Sequence, residues 1–172
     1  MLIALILSLP FLMGCVCGLR SMTGPAVVCW AARLGWLQLD RSPLAFLHNP
    51  VSLVVFTLLA LGEMVADKLP FIPSRTMIGP LGVRFAFGGL CGAALLLSGG
   101  SGVSPWLGAL VGGVGGVAGA FAGYHLRRAL TVRAGLPDLP VALLEDLVAI
   151  GLGFYVASGG FMRGVFLVSG LW

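Results

Sequence analysis

A polytopic bundle of transmembrane α-helices is the fold class this chain predicts, and three observations predict it. Of its 172 residues, 59% are hydrophobic and only 9% are charged, against about 25% charged in an ordinary soluble domain. Mean hydropathy is +1.07. The apolar residues run in long blocks, unlike the alternating stretches of about 10 residues that build an outer-membrane barrel. Helices must do the spanning, because each backbone polar group in hydrocarbon needs a partner within its own segment. At about 20 residues per crossing, residues 1–172 make one transmembrane domain of about six spans and leave no room for a separate soluble domain.

The first block covers residues 2–19. It contains Leu12-Met13-Gly14-Cys15, which resembles a bacterial lipoprotein cleavage site. A signal peptide opens on positive charge, whereas the first basic residue here is Arg20, so this block is expected to stay as a span. The second block, 22–39, is interrupted by Gly24-Pro25 and Arg33. The third is 51–66, the fourth 84–98, the fifth and cleanest 106–126, and the sixth 141–157. Residues 161–172 are too short to cross alone and are expected as a half-helix or interfacial tail. Several blocks fall short of the ideal length, so some ends should sit below the headgroups or thin the bilayer.

Sidedness follows from the basic residues. The net charge is +4, and the arginines are spread among membrane ends with no basic arm, so nucleic acid is not an expected partner. If the second block crosses, one side collects Arg20, Lys68, Arg75, Arg84, Arg127, Arg128 and Arg133, and the other Arg33, Arg41 and Arg163. If it lies flat, the division is six against four. The sharper bias is preferred, with the seven-residue side cytoplasmic and the N-terminus outside. Trp30, Trp36, Trp106 and Trp172 then all fall toward the outer interface, where tryptophan concentrates.

Glycine is the next signal, with 27 residues. Gly108, Gly112 and Gly116 recur every four residues, as do Gly115, Gly119 and Gly123. Gly14 and Gly18, Gly88 and Gly92, and Gly160 and Gly164 repeat the spacing. Small residues so placed let helix backbones approach closely. Tight internal packing is the expected use, and a homodimer seam the alternative. A weak inverted repeat is also expected: Gly14-x-x-x-Gly18 precedes Arg20 as Gly119-x-x-x-Gly123 precedes Arg127, and an acidic helix bearing Glu63 or Glu145 follows each. Such duplication is common in transporters. Cys15, Cys17, Cys29 and Cys91 lie in apolar blocks without zinc or CxxC spacing and are expected as packing residues.

Chemistry is concentrated in few side chains. Of six acidic residues, Glu63, Asp67, Glu145 and Asp146 sit within or at the edge of spans. Each would cost about 2.5–3.5 kcal/mol at mid-membrane on insertion scales, so they need partners. Glu63 and Asp67 are four apart and share a helix face. Candidate cations on the same side are Arg20, Lys68, Arg75, Arg84 and Arg127. The string from Val65 through Asp67-Lys68-Leu69-Pro70 to Pro73-Ser74-Arg75-Thr76 ends a helix in a stiff turn rich in anion-binding donors. Gly18-Leu19-Arg20-Ser21-Met22-Thr23 is a second break, where Ser21 and Thr23 are expected to cap the next helix. Asp138 is expected to cap the sixth.

At these strings the chain resembles a family of small bacterial inner-membrane proteins, described as domain of unknown function 4126. The resemblance covers nearly the whole chain, through Glu145-Asp146. It implies a prokaryotic multi-span protein and carries over no activity or catalytic residue.

His48 and His125 are expected to be interfacial. No P-loop, dinucleotide fingerprint, Ser-His-Asp grouping or metal-binding histidine pair occurs, so no cofactor is expected. The leading functional expectation is a transporter or channel-like permease for a small ion or anionic solute. Its polar site is built from Glu63, Asp67, Glu145 and Asp146 with Arg20, Lys68, Arg75 and Arg127, toward the cytoplasmic leaflet. Next comes a membrane enzyme acting on phosphate-bearing lipid headgroups, with a divalent metal on the carboxylates. The third is a structural or assembly subunit.

Overall fold

Each apolar block becomes a helix, and the helices run up and down between two ends of the molecule. The computed structural model describes residues 2–67, 77–99 and 102–159. The helices are α1 (Leu2–Leu19), α2 (Thr23–Arg33), α3 (Pro50–Ala66), α4 (Ile78–Ser98), α5 (Pro105–Arg128) and α6 (Asp138–Ala157). A 3₁₀ turn, Ala45–His48, precedes α3, and a π-helical turn, Ala129–Arg133, prolongs α5. Among the described residues there is no strand. α4, α5 with its π-helical extension, and α6 are each long and apolar enough to cross a membrane, while α1 and α3 are shorter apolar helices. Residues 161–172 lie outside the described residues, as do Gly160 and Gly164.

Three helices form the centre, and glycine sets their spacing. α1 lies parallel to α5, with Gly14 against Gly112 and Gly115, and Gly18 against Gly116 and Gly119. α4 runs antiparallel to α5, with Gly88 facing Gly112 and Gly92 facing Gly108. A methyl group on Gly112 would fall on the carbonyl oxygen of Gly88. Backbone thus packs on backbone, the close approach expected of small residues at four-residue spacing. The lipoprotein-like string lies within this contact, with Met13 fully buried. Cys17, Cys29 and Cys91 are also fully buried, and the Cys17 and Cys91 sulfurs are 3.8 Å apart. They pack, as expected.

The second block departs from expectation. Its helix, α2, stops at Arg33 after 11 residues, a rise of about 16 Å against roughly 30 Å of hydrocarbon. The amides of Leu34, Gly35, Trp36 and Leu37 close the helix by bonding to the carbonyls of Trp30, Ala32 and Ala31. The chain then continues without helix, and Leu37, Leu39 and Leu47 are buried in the bundle. Irregular backbone at membrane depth is tolerated where protein covers it. The Gln38 amide reaches Ser98 Oγ at 3.0 Å and Trp36 stacks edge-on against Phe154. The segment therefore arrives at the end of the bundle opposite Arg20.

α3 is peripheral. Asn49 caps it by accepting from the Val51 amide at 2.9 Å, and Pro50 opens it. Only Ala60 among its residues is buried, and its main neighbour is the short α2. Helix directions bear on the repeat. α3 and α6 run in opposite directions, with Glu63 and Glu145 at one end, while α1 and α5 run in the same direction. The inverted relation holds for the first pair and not for the second.

A charged end built from six helix termini

The ends of α1, α3 and α5 and the starts of α2, α4 and α6 meet at one end of the bundle. Arg20 follows the last residue of α1 and is only 1% exposed. Its Nη1 donates to Asp67 Oδ2 at the end of α3. Its Nε lies 2.7 Å from Asp146 Oδ1 of α6, close enough to pair as charges, although the N–H does not point along that line as a hydrogen bond requires. Arg20 Nη2 is buried and has no hydrogen-bond partner among the described residues.

Arg127, near the end of α5, joins the remaining carboxylates. Its Nε and Nη2 donate to the two oxygens of Asp138 at 2.9 and 2.7 Å, a fork-on-carboxylate pair. Its Nη1 donates to Asp67 at 3.1 Å and lies 3.9 Å from Glu145. The π-helical turn starts two residues later, and Thr131 Oγ1 donates to the Arg127 carbonyl at 2.9 Å. Asp138 does not precede α6 as expected: it is the first residue of the helix, with Pro137 in the capping position.

Glu63 does a different job from its helix neighbour. The Ser21 and Met22 amides each donate to it at 2.8 Å. A carboxylate from α3 therefore caps the start of α2, where the positive end of the helix dipole favours it. The expected caps from Ser21 and Thr23 do not form: no side chain of the segment itself caps α2, and Thr23 Oγ1 is buried without a hydrogen-bond partner. A charged acceptor at the same amides is the stronger competitor. Arg84 of α4 completes the group. Its Nε donates to the Gly18 carbonyl at 3.0 Å, a cation on the negative end of α1, and its Nη2 lies 4.0 Å from Glu63.

Of the eight side chains expected to form the site, Arg20, Glu63, Asp67, Arg127, Glu145 and Asp146 do converge. Lys68 and Arg75 lie outside the described residues. Arg84 and Asp138 belong to the cluster and were not placed in it from the sequence. Glu145 and Asp146, adjacent in α6, diverge: Asp146 turns inward to Arg20, while Glu145 faces Arg127 beside a small apolar cavity of about 80 Å³ lined by Leu19, Leu130 and Val148. Carboxylates and guanidiniums alternate throughout. Among the described residues no three acidic, histidine or cysteine side chains converge at metal-ligand spacing. The histidines stand apart from the cluster: His48 lies 3.0 Å from Asp40 in the opposite loop, and His125 stacks against Tyr124.

Neither the curated proteins nor the solved structures contain a match to this chain. A family model does match it over residues 5–172, nearly its whole length, and includes every charged residue of the cluster. The chain therefore belongs to the family described as Domain of unknown function (DUF4126).

Proposed function

We propose that the protein is a multi-pass permease of a bacterial inner membrane, moving a small ion or anionic solute through the charged end of the bundle. That end would face the cytoplasm, as the distribution of basic residues favours. The observation that carries the reading is Arg20: a guanidinium 1% exposed, held by carboxylates from two other helices. Ionisable groups inside membrane proteins cost several kcal/mol and concentrate on transport pathways.

The arrangement supplies a means of exchange. Glu63 and Asp67 fasten the end of α3 to the start of α2, to Arg20 and to Arg127. α3 has little else to hold it, since only Ala60 is buried. A proton or cation on these carboxylates would loosen α3 and free Arg20 and Arg127 to accept an anionic group. Departure of the anion would restore the ion pairs. Broken-helix ends beside such groups are the usual site of substrate and coupling ion in transporters.

The test is flux through proteoliposomes, assayed for protons, alkali cations and small anions. Glu63→Gln and Asp67→Asn should each reduce flux to background while the protein keeps its elution volume and helical content. Wild-type flux in both variants rejects the proposal.

A further inference from the structure

α3 and α6 flank the short α2 without packing on one another, and a cavity of about 140 Å³ lies between the three helices. Its walls include Val27 and Trp30 of α2, Ala60 of α3, and Ile150 and Phe154 of α6. Its mouth is lateral: Trp30, Leu61 and Ile150 at the rim are all exposed on the bundle's flank, the surface that meets acyl chains. At the far end Trp30 Nε1 donates to Thr57 Oγ1 at 3.2 Å, which closes the slot.

The near end is different. Thr23 Oγ1 lines the cavity, its residue is 2% exposed, and it has no hydrogen-bond partner. A buried hydroxyl left without a partner costs about 1–3 kcal/mol, so the position calls for one. Arg20 Nη2, three residues earlier, is a second buried donor lacking a partner among the described residues. The polar end thus needs an acceptor oxygen, while the rest of the slot is apolar. Its volume is close to the roughly 150 Å³ of apolar cavities that take a benzene-sized guest.

We propose that the cavity between α2, α3 and α6 binds one acyl chain of a membrane phospholipid, whose ester carbonyl accepts a hydrogen bond from Thr23. The depth agrees: Thr23 lies at the charged end of the bundle, and ester carbonyls occupy the boundary between hydrocarbon and headgroups. The site stands apart from the permease reading and neither requires the other.

The experiment uses nanodiscs of phosphatidylethanolamine and phosphatidylglycerol, doped with a phospholipid bearing a diazirine on its acyl chain, with crosslinked peptides mapped after irradiation. A broader groove of about 520 Å³ beside Phe85, Gly89 and Trp106 on α4 and α5 serves as the internal reference for ordinary surrounding lipid. Crosslinks at residues around Ala60 and Ile150 should exceed those at the reference groove several-fold. Ala60→Trp, which fills the slot, should bring them down to the reference level. Thr23→Val should reduce them too, without lowering the melting temperature, because it deletes only a hydroxyl that has no protein partner. Equal labelling of the two grooves overturns the proposal. So does an undiminished excess in Thr23→Val, which would mark the hydroxyl as a packing defect that no lipid serves.

Discussion

Arg20 is the residue on which most of the charged end depends. Truncating it would leave Asp67 and Asp146 facing each other's surroundings without their shared cation, and breaking a buried pair by removing one partner costs about 3–5 kcal/mol. Arg20→Ala should therefore melt well below the parent protein in detergent. Neutralising the partners together with the arginine, as in Arg20→Met with Asp67→Asn and Asp146→Asn, should recover most of the loss, since a well-packed neutral replacement is often as stable as the ion pair. Failure of the triple variant to recover would mean that Arg20 acts through packing alone. This group was largely legible in the sequence. Six acidic residues in 172 leave few pairings, and the four-residue spacing of Glu63 and Asp67 assigns them one helix face. Arg84 and Asp138 were not legible as members. Arg84 sits within an apolar helix and Asp138 beside a proline, and one-dimensional spacing says which side chains share a helix, not which lie across from it. The cap on α2 was missed for the same reason, because a tertiary acceptor, Glu63, displaced the local hydroxyls.

Among the elements, α5 carries the packing and α3 the freedom. The difference can be measured with one kind of substitution. Gly112→Ala places a methyl on the Gly88 carbonyl, where backbone cannot yield without separating α4 from α5. A loss of at least about 1–3 kcal/mol is expected from overpacking of this kind. At Gly62 of α3 an added methyl meets nothing within 4 Å, and alanine should leave stability unchanged or raise it by up to about 1 kcal/mol, the helix-propensity difference. Thermal unfolding in a common detergent compares them, and equal effects would contradict the packing described. Glycine periodicity revealed these faces in advance because an inter-helix contact repeats with the helix turn. The early end of α2 was not foreseen: the block is apolar through Leu39, and apolar content alone does not distinguish helix from covered irregular chain. The Gly24-Pro25 and Arg33 interruptions were the signal.

Across the whole molecule, the basic residues separate by end. Arg20, Arg84, Arg127, Arg128 and Arg133 gather where α1, α3 and α5 finish, whereas Arg33 and Arg41 lie in the segment that reaches the opposite end. Cysteines introduced as Arg41→Cys and Arg128→Cys, both at exposed positions, should react with a membrane-impermeant maleimide from opposite sides of the cell membrane. Arg41→Cys should label from outside. Labelling of both from one side would reject the up-and-down course of the chain. This level of organisation was the most legible, since alternation of ends follows from block order and needs no knowledge of contacts.

The pairing of Arg20 with a carboxylate on α6 also bears on biosynthesis. Arg20 emerges from the ribosome with α1, long before Asp146 has been translated. In that interval its guanidinium can reach the headgroup layer along its own aliphatic stem, held by lipid phosphate rather than by protein. Each helix entering the bilayer afterwards adds part of the eventual neutralising set, and the last of these to arrive draws the arginine inward. Assembly of this end is thus a late event in membrane insertion, completed by exchange of a lipid counter-ion for Asp146.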